Sequence, residues 1–248
     1  MIKTNTRNLH EKYHARTKKQ TKIIKKNNFT YRLLLRFIDK YLVRSNQAVL
    51  DVGCGAGSIS FYLASEGQNV TGIDISSKAI AECNKSLKHL GLKKISFKRS
   101  FFPEESAFEN KFDAVIFTEV IEHLVDDGLA LKTINKLLKK DGLLFLSTPS
   151  INAPLHKLGL TKDFDKEVGH LRRYTSLQLK NLLKENGFKI IEATNTEGVL
   201  RNFLFVNPHA GKLVKYINFF ASDIVTFLDN ISLKLFGNSN YIVVAKKK

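Results

Sequence analysis

The amino-acid sequence predicts an α/β fold, a parallel sheet with crossover helices on both faces, and three observations predict it. Short apolar runs alternate with helical patterns from residue 48 to residue 193. A glycine-rich loop, Gly53-Cys54-Gly55-Ala56-Gly57, follows the first apolar run. Asp74 closes the second, 23 residues after Asp51. With 248 residues, 43% of them hydrophobic, the chain can bury one substantial core.

Within residues 30–43, Leu34, Ile38, Tyr41 and Leu42 fall at helical spacing and make a lead-in helix. Residues 48–52 are a buried strand stopped by Gly53, and residues 59–64 return to a helical pattern. A second strand spans 69–73 and ends in Asp74, and Ser76 or Ser77 caps the helix that runs to Leu90. Strands are expected near 95–98 and over 112–118, then a helix over about 126–140 and a strand over 143–147. Past Pro149 no periodicity is visible until about Tyr174. A helix over 176–186, closed by Gly187, a strand over 188–193 and a last strand over 241–245 complete the order.

Between the last two strands lies an insertion, about 199–240. In it Leu213, Ile217, Phe220, Ile224, Phe227 or Leu228, Ile231 and Leu235 recur at steps of three or four. A stripe of this kind must be buried, and a lid against the sheet edge or a contact with a second subunit is expected. The alternative is an interfacial helix giving peripheral membrane contact, against which Asp223 and Asp229 stand among Lys212, Lys215 and Lys234.

The formal net charge of +17 is unevenly placed. Residues 1–48 hold 13 bases and two acids, a net +11, the last three residues add +3, and residues 49–245 carry only +3. This pattern divides the chain into a basic helical leader, 1–44, and a main domain, 45–248. It argues against a basic groove at the centre and leaves the leader to solvation or docking. Two cysteines build neither a disulfide framework nor a cysteine zinc site. With no secretory apolar core and no uncharged apolar run of about 18 residues, the expectation is a cytoplasmic protein.

The run Val49-Leu50-Asp51-Val52-Gly53 and the alternate glycines after it stand at a strand-to-helix junction. Glycine there lets a ligand approach the backbone. Asp74 stands where a carboxylate accepts hydrogen bonds from ribose hydroxyls. A dinucleotide would want Gly-x-Gly-x-x-Gly, whereas these glycines alternate and Asp51 precedes them. A carboxylate repels a pyrophosphate and attracts a sulfonium or an amino group.

Over about residues 48–187 the chain resembles the class I S-adenosylmethionine-dependent methyltransferases. The resemblance implies a Rossmann-like, seven-stranded sheet with the last strand antiparallel and S-adenosyl-L-methionine lying across the strand ends. It implies that Asp51, Gly53, Gly55 and Gly57 line the amino-acid and sulfonium part, that Asp74 holds the ribose and that Ile75 packs on adenine. Many relatives carry an acid after the third strand for the adenine amine. Here the chain reads Arg99-Ser100-Phe101-Phe102-Pro103, so Ser100, backbone amides and Phe101 as an aromatic wall are expected instead.

Glu119, Glu122 and His123 are spaced i, i+3 and i+4, which on a helical turn gives them a common face. Such a trio can hold a divalent ion or act as a general base with its orienter. The segment is similar to the Glu-x-x-Glu-His signature of ubiquinone-pathway O-methyltransferases and small-RNA 2'-O-methyltransferases, which implies Mg2+ on these three residues. The alternative has Glu119 facing the cofactor and the other two in structural roles. His170, in Gly169-His170-Leu171-Arg172-Arg173-Tyr174, lies in a loop that the resemblance places over the substrate. A neutral histidine there can take a hydroxyl proton, and Arg172 or Arg173 can bind an anionic group.

These residues point to O-methylation of a small-molecule, lipid or glycan acceptor, with His123 and His170 as catalytic candidates. No Asn-Pro-Pro-Tyr-like motif follows the fourth strand, which weighs against methylation of nucleic-acid base amines. Ribose 2'-O-methylation of RNA and a cofactor-binding regulatory role without turnover are the other two possibilities.

Overall fold

The computed structural model describes Leu9, Glu11, residues 19–105, Phe108 and residues 111–248. Strands β1 (Ala48–Val52), β2 (Asn69–Asp74), β3 (Ile95–Arg99), β4 (Phe112–Thr118), β5 (Leu138–Pro149), β6 (Phe188–Thr196) and β7 (Asn240–Lys247) form one sheet, ordered β3-β2-β1-β4-β5-β7-β6. The first five are mutually parallel, and β7 runs antiparallel between β5 and β6. This is the Rossmann-like, seven-stranded α/β sheet expected from the sequence.

Period-two alternation sends neighbouring side chains of each strand into opposite layers. Leu50, Val52, Val115, Phe117, Leu144 and Leu146 join the core packed by α4 (Asp127–Leu137) and α7 (Ser176–Glu185). Val49, Ala114, Ile116 and Phe145 join the other, packed by α1 (Arg32–Tyr41) and α2 (Ser58–Ser65). On the second side α3 (Ser77–Leu90) connects β2 to β3, with Leu87 and Leu90 packed against that core; Ser76 is its cap, accepting the Ala79 N–H at 3.2 Å.

Three local expectations change. Helix α4 stops at Leu137, and β5 starts at Leu138, five residues before the expected strand. Leu138 is buried opposite Phe112, and the register shifts between Phe112 and Ala114 to admit the extra residues. After Pro149, two short helices replace the featureless stretch: α5 (Pro154–Lys157) and α6 (Lys162–Val168). Helix α6 buries none of its residues, and its two apolar side chains, Phe164 and Val168, are too few to set a period. Finally, residue 44 is not a structural boundary. Leu34, Leu35 and Ile38 of α1 are buried in the same core as Val49 and Phe61, so the segment assigned to the leader includes part of the domain.

The insertion contains α8 (Val199–Val206), a 3-10 turn (Ala210–Leu213), a single α turn (Val214–Tyr216), a π turn (Ile217–Ala221) and α9 (Ser222–Phe236). It docks through polar groups. Arg201 is fully buried, its guanidinium lies 3.8 Å from the Phe29 ring centroid, and its Nη1 donates to the Phe29 carbonyl. Asp229, also buried, accepts the Arg201 and Gly198 backbone N–H groups at 2.8 and 3.0 Å and pairs with the guanidinium at 3.4 Å. Removing one partner of a buried pair strands the other charge. Arg201→Met should therefore cost about 3–5 kcal/mol in urea unfolding; a loss below about 1 kcal/mol would show that this pair does not anchor the insertion.

Candidate functional site

Sheet order sets the position of the site. From β1 the chain builds outward to β2 and β3, then returns to β4 on the other side, so the loops after β1 and β4 diverge and leave a crevice at the strand ends. A cleft of ≈ 710 Å³ occupies it.

Gly53 has φ +73°, in the left-handed region, and a Cβ there would stand 2.5 Å from Val120 Cγ2. Only glycine lets the loop after β1 close on the loop after β4. The loop is then tied to β2: Gly53 and Cys54 donate to the Ile73 carbonyl at 2.8 and 3.0 Å, and Gly55 donates to Asp74 Oδ2 at 2.9 Å. Asp74 Oδ1 takes the Ser76 N–H at 2.8 Å. Each of its carboxylate oxygens retains a second lone pair, and the residue lines the cleft.

Asp51 also lines the cleft, with its side chain buried and Oδ2 accepting from Ser60 Oγ at 2.5 Å. Burial pushes its pKa up to about 6 against the Ser60 hydrogen bond, and the negative charge of Asp74 adds to the rise. Among the described residues no basic side chain offsets it. Gly55, Ile75, Ser100 and Phe101 complete this end of the cleft. The Ser100 N–H donates to the Asp74 carbonyl at 3.0 Å, and its hydroxyl donates to the Glu105 carbonyl at 3.0 Å.

The acidic cluster is arranged differently from the helical face expected. Glu119 has φ +54° and precedes a 3-10 turn (Ile121–His123), so it does not share a helical face with Glu122 and His123. Its carboxylate lines the cleft, held by Ser147 Oγ at 2.6 Å and Asn240 Nδ2 at 2.9 Å. The group that comes together is Glu122, His123 and His170, whose ligand atoms lie within 4.8 Å of one another.

In that group Glu122 is fully buried. Its Oε2 accepts from Thr148 at 3.0 Å, and Oε1 has no hydrogen-bond partner among the described residues. Burial and the charge of Glu119 push its pKa well above the usual carboxylate range. His123 Nδ1 meets the Gly169 carbonyl at 3.1 Å, and since a carbonyl only accepts, that nitrogen carries the proton. His170 Nδ1 meets Asp165 Oδ1 at 2.7 Å. Asp165 is held far below the ordinary carboxylate range by hydrogen bonds from His170 and Arg173, against the opposing effect of its burial. The two Nε2 atoms stand 4.0 and 3.8 Å from Glu122 Oε1, beyond direct hydrogen-bond reach. Two imidazole nitrogens and one carboxylate oxygen suit a divalent transition ion; magnesium, which prefers oxygen ligands, does not fit this donor set.

Neither loop arginine is left for an anionic ligand. Arg172 pairs with Asp127 at 2.8 Å, and Arg173 pairs with Asp165 at 2.5 Å. Sequence reasoning missed Asp165, five residues before His170 on the polar helix α6, and Asn240, at the start of β7. It also missed Tyr31, which lines the cleft from the segment assigned to the leader. Two residues further upstream dock at the rim. Glu11 accepts from the Ser76 hydroxyl and from the N–H and hydroxyl of Ser77 at 2.6–2.9 Å. Against its burial, the Ser77 and Ser76 hydrogen bonds hold its pKa at about 2. Leu9 packs on Gly169, whose carbonyl holds His123.

A family model described as a methyltransferase domain matches residues 24–193. The chain belongs to this methyltransferase-domain family. Among curated proteins it is similar to the ubiquinone biosynthesis O-methyltransferase of Dechloromonas aromatica, 36% identical over 122 residues, which covers 48% of this chain and 52% of that protein. The enzyme of the same name from Pseudomonas aeruginosa is 29% identical over 171 residues, 61% of this chain and 73% of that protein. The chain spans about half the length of the first curated relatives it matches. Among solved structures it is similar to magnesium protoporphyrin IX methyltransferase from Synechocystis with S-adenosylhomocysteine bound (TM-score 0.65, 20% identity, 99% and 100% of the two chains). It is also similar to phosphoethanolamine N-methyltransferase 2 of Haemonchus contortus in complex with S-adenosyl-L-methionine (TM-score 0.66, 19% identity, 88% of this chain and 52% of that one). At these identities the two structures establish the family fold.

The raised pKa of Asp51 has a consequence for stability. Between pH 4 and 6 the folded state holds a proton that the unfolded chain releases, so ionised Asp51 destabilises the fold above pH 6 and not below pH 4. Asp51→Asn should therefore gain about 2–3 kcal/mol relative to the unsubstituted chain as pH rises from 4 to 7. Parallel pH–stability curves from urea unfolding would contradict this.

Proposed function

We propose that the protein is an S-adenosyl-L-methionine-dependent methyltransferase that transfers the methyl group to a hydroxyl of a small-molecule, lipid or glycan acceptor, with an apolar acceptor favoured by the walls of the cleft. The observation that carries this reading is the placement of His170, oriented by Asp165, on the wall of the same cleft that holds Asp51 and Asp74.

The residues at the β1 end fit the cofactor. Asp51 supplies a buried negative charge for its amino-acid and sulfonium part, Gly53 and Gly55 admit it against the backbone, Asp74 offers lone pairs to ribose hydroxyls, and Ile75 and Phe101 flank adenine, with Ser100 and Glu119 beside them; Gly57, expected in the same role, instead faces Phe61, Cys83 and Phe97, where a Cβ would clash. When bound, S-adenosyl-L-methionine supplies an electrophilic methyl group on a cationic sulfur. At the other end, His170 Nδ1–H donates to Asp165, which fixes the tautomer and leaves Nε2 as the proton acceptor for the attacking hydroxyl. His123 is held in the same sense by Gly169 and supports the second imidazole position.

Phe102, Leu124, Val125, Leu129, Phe164 and Val168 wall the cleft with apolar surface, and Arg172 and Arg173 are paired within the protein. Both facts favour a small apolar acceptor over an RNA strand. Two buried thiols, Cys54 and Cys83, remain unbridged, which suits a reducing, cytoplasmic compartment. Among the described residues no helix is long and apolar enough to cross a membrane.

The orphaned Glu122 Oε1 supports a second use of the cluster: Glu122, His123 and His170 would hold a divalent transition ion. Such an ion, when bound, lowers the pKa of a coordinated hydroxyl.

Asp74→Ala should weaken S-adenosyl-L-methionine binding at least roughly tenfold by calorimetry, and unchanged affinity would remove the site assignment. His170→Ala should lower kcat about 10²–10⁴-fold with cofactor Kd unchanged. The assay is transfer of labelled methyl into lipid, glycan and RNA fractions, with and without EDTA. Loss of transfer in EDTA assigns the cluster to a metal, transfer into RNA overturns the acceptor class, and cofactor binding with no transfer into any fraction overturns the enzyme reading.

A further inference from the structure

Helix α9 is turned inside out. Its inward face is polar: Ser222, Thr226 and Asp229 are buried against Arg32, Arg201 and the segment around Phe29. Its apolar stripe, Ile224, Phe227, Leu228, Ile231, Leu235 and Phe236, faces outward, with exposure from 41% at Ile231 to 70% at Leu235. The expected burial of this stripe against the sheet edge therefore does not occur. Single exposed apolar residues are ordinary, but a continuous row along one helix marks a surface that is covered by something else. Leu213 and Tyr216, also exposed, extend the row toward the start of the insertion.

The charges around the stripe say what covers it. The two acids that argued against a cationic helix are both neutralised within the protein: Asp229 is buried against Arg201, and Asp223, though exposed, pairs with Arg32 at 2.8 Å. Lys212, Lys215 and Lys234 have no acidic partner among the described residues, so the insertion presents apolar side chains together with uncompensated positive charge. A second copy offering the same patch would bring these lysines against their own counterparts, in a chain that already carries +17. An anionic bilayer satisfies both features at once, apolar side chains entering the headgroup boundary and lysines meeting lipid phosphates.

We propose that the outward face of α9, with Lys212, Lys215 and Lys234, docks the protein peripherally on an anionic phospholipid membrane. The proposal is independent of the acceptor's identity. It also gives the basic N-terminal segment a role as a second, weaker electrostatic anchor, since one shallow apolar insertion alone holds only marginally.

The chain contains no tryptophan, so Phe227→Trp places a single indole in the stripe. On mixed phosphatidylglycerol and phosphatidylcholine vesicles its emission should shift to shorter wavelength and be quenched by brominated acyl chains, with much weaker effects on phosphatidylcholine alone. The exposed double substitution Ile224→Ser with Leu235→Ser should reduce vesicle co-sedimentation at least roughly tenfold while leaving S-adenosyl-L-methionine affinity unchanged, which also reports that the fold is intact. Three results would overturn the proposal. Co-sedimentation without an indole shift would assign docking to another surface, such as the basic segment. A dimer by light scattering that the double substitution dissolves, with no vesicle binding, would make the stripe an interface between copies. Absence of both would leave the stripe without a membrane role.

Discussion

A buried carboxylate with no cation beside it among the described residues organises this molecule. Asp51 sits at the end of β1 with its side chain out of water, and burial and Asp74 together make its ionised form costly. A fold tolerates such a group where a ligand charge will later offset it. The surrounding features serve that position. The reversal of the sheet between β1 and β4 opens the crevice, Gly53 lets the two diverging loops meet, and the Gly55 bond to Asp74 fixes the second carboxylate at the edge of the same space. The methyltransferase reading follows from this end of the cleft, and the acceptor reading follows from the other end, where Asp165 orients His170.

What was legible in the sequence was local and periodic. Strand alternation, the glycine loop and the acid closing β2 each leave a mark within a few residues, and Asp51, Asp74, Ile75, Ser100, Phe101 and Glu119 all line one cleft. The acidic cluster was only half legible. Glu122 and His123 were found, but the helical face that would add Glu119 requires a regular turn, and Glu119 instead adopts a left-handed conformation that swings it toward Ser147 and Asn240. Its place is taken by His170, 47 residues beyond His123 in the chain and brought back by the turn at Gly169. Asp165 left no trace because α6 buries none of its residues and is mostly charged, and an acid on such a helix looks like a solvated one until the chain folds back.

The insertion shows the limit of amphipathic patterns from the other direction. Spacing identified the stripe on α9 correctly, but spacing reports that a helix has two faces without saying which one is inside. That choice was made by Arg201 and Asp229, two charged residues that surface rules would put outside. Once the guanidinium stacks on Phe29 and takes Asp229 with it, the apolar row has nowhere to point but outward. The charge distribution changes meaning in the same way. The leader and body are not separable at residue 44, because α1 lies in the core and Tyr31 lines the cleft, while Glu11 caps α3 from further upstream.

The central claim is that Asp51 is the carboxylate that receives the cationic part of S-adenosyl-L-methionine. Calorimetric titration of the intact chain with S-adenosyl-L-methionine from pH 5 to pH 8 tests it most directly. With a pKa of about 6, Asp51 must release a proton before it can pair with the ligand, so affinity should fall up to about tenfold per pH unit below 6 and level off above 7. An affinity independent of pH across this range, or no binding at any pH, would contradict the account.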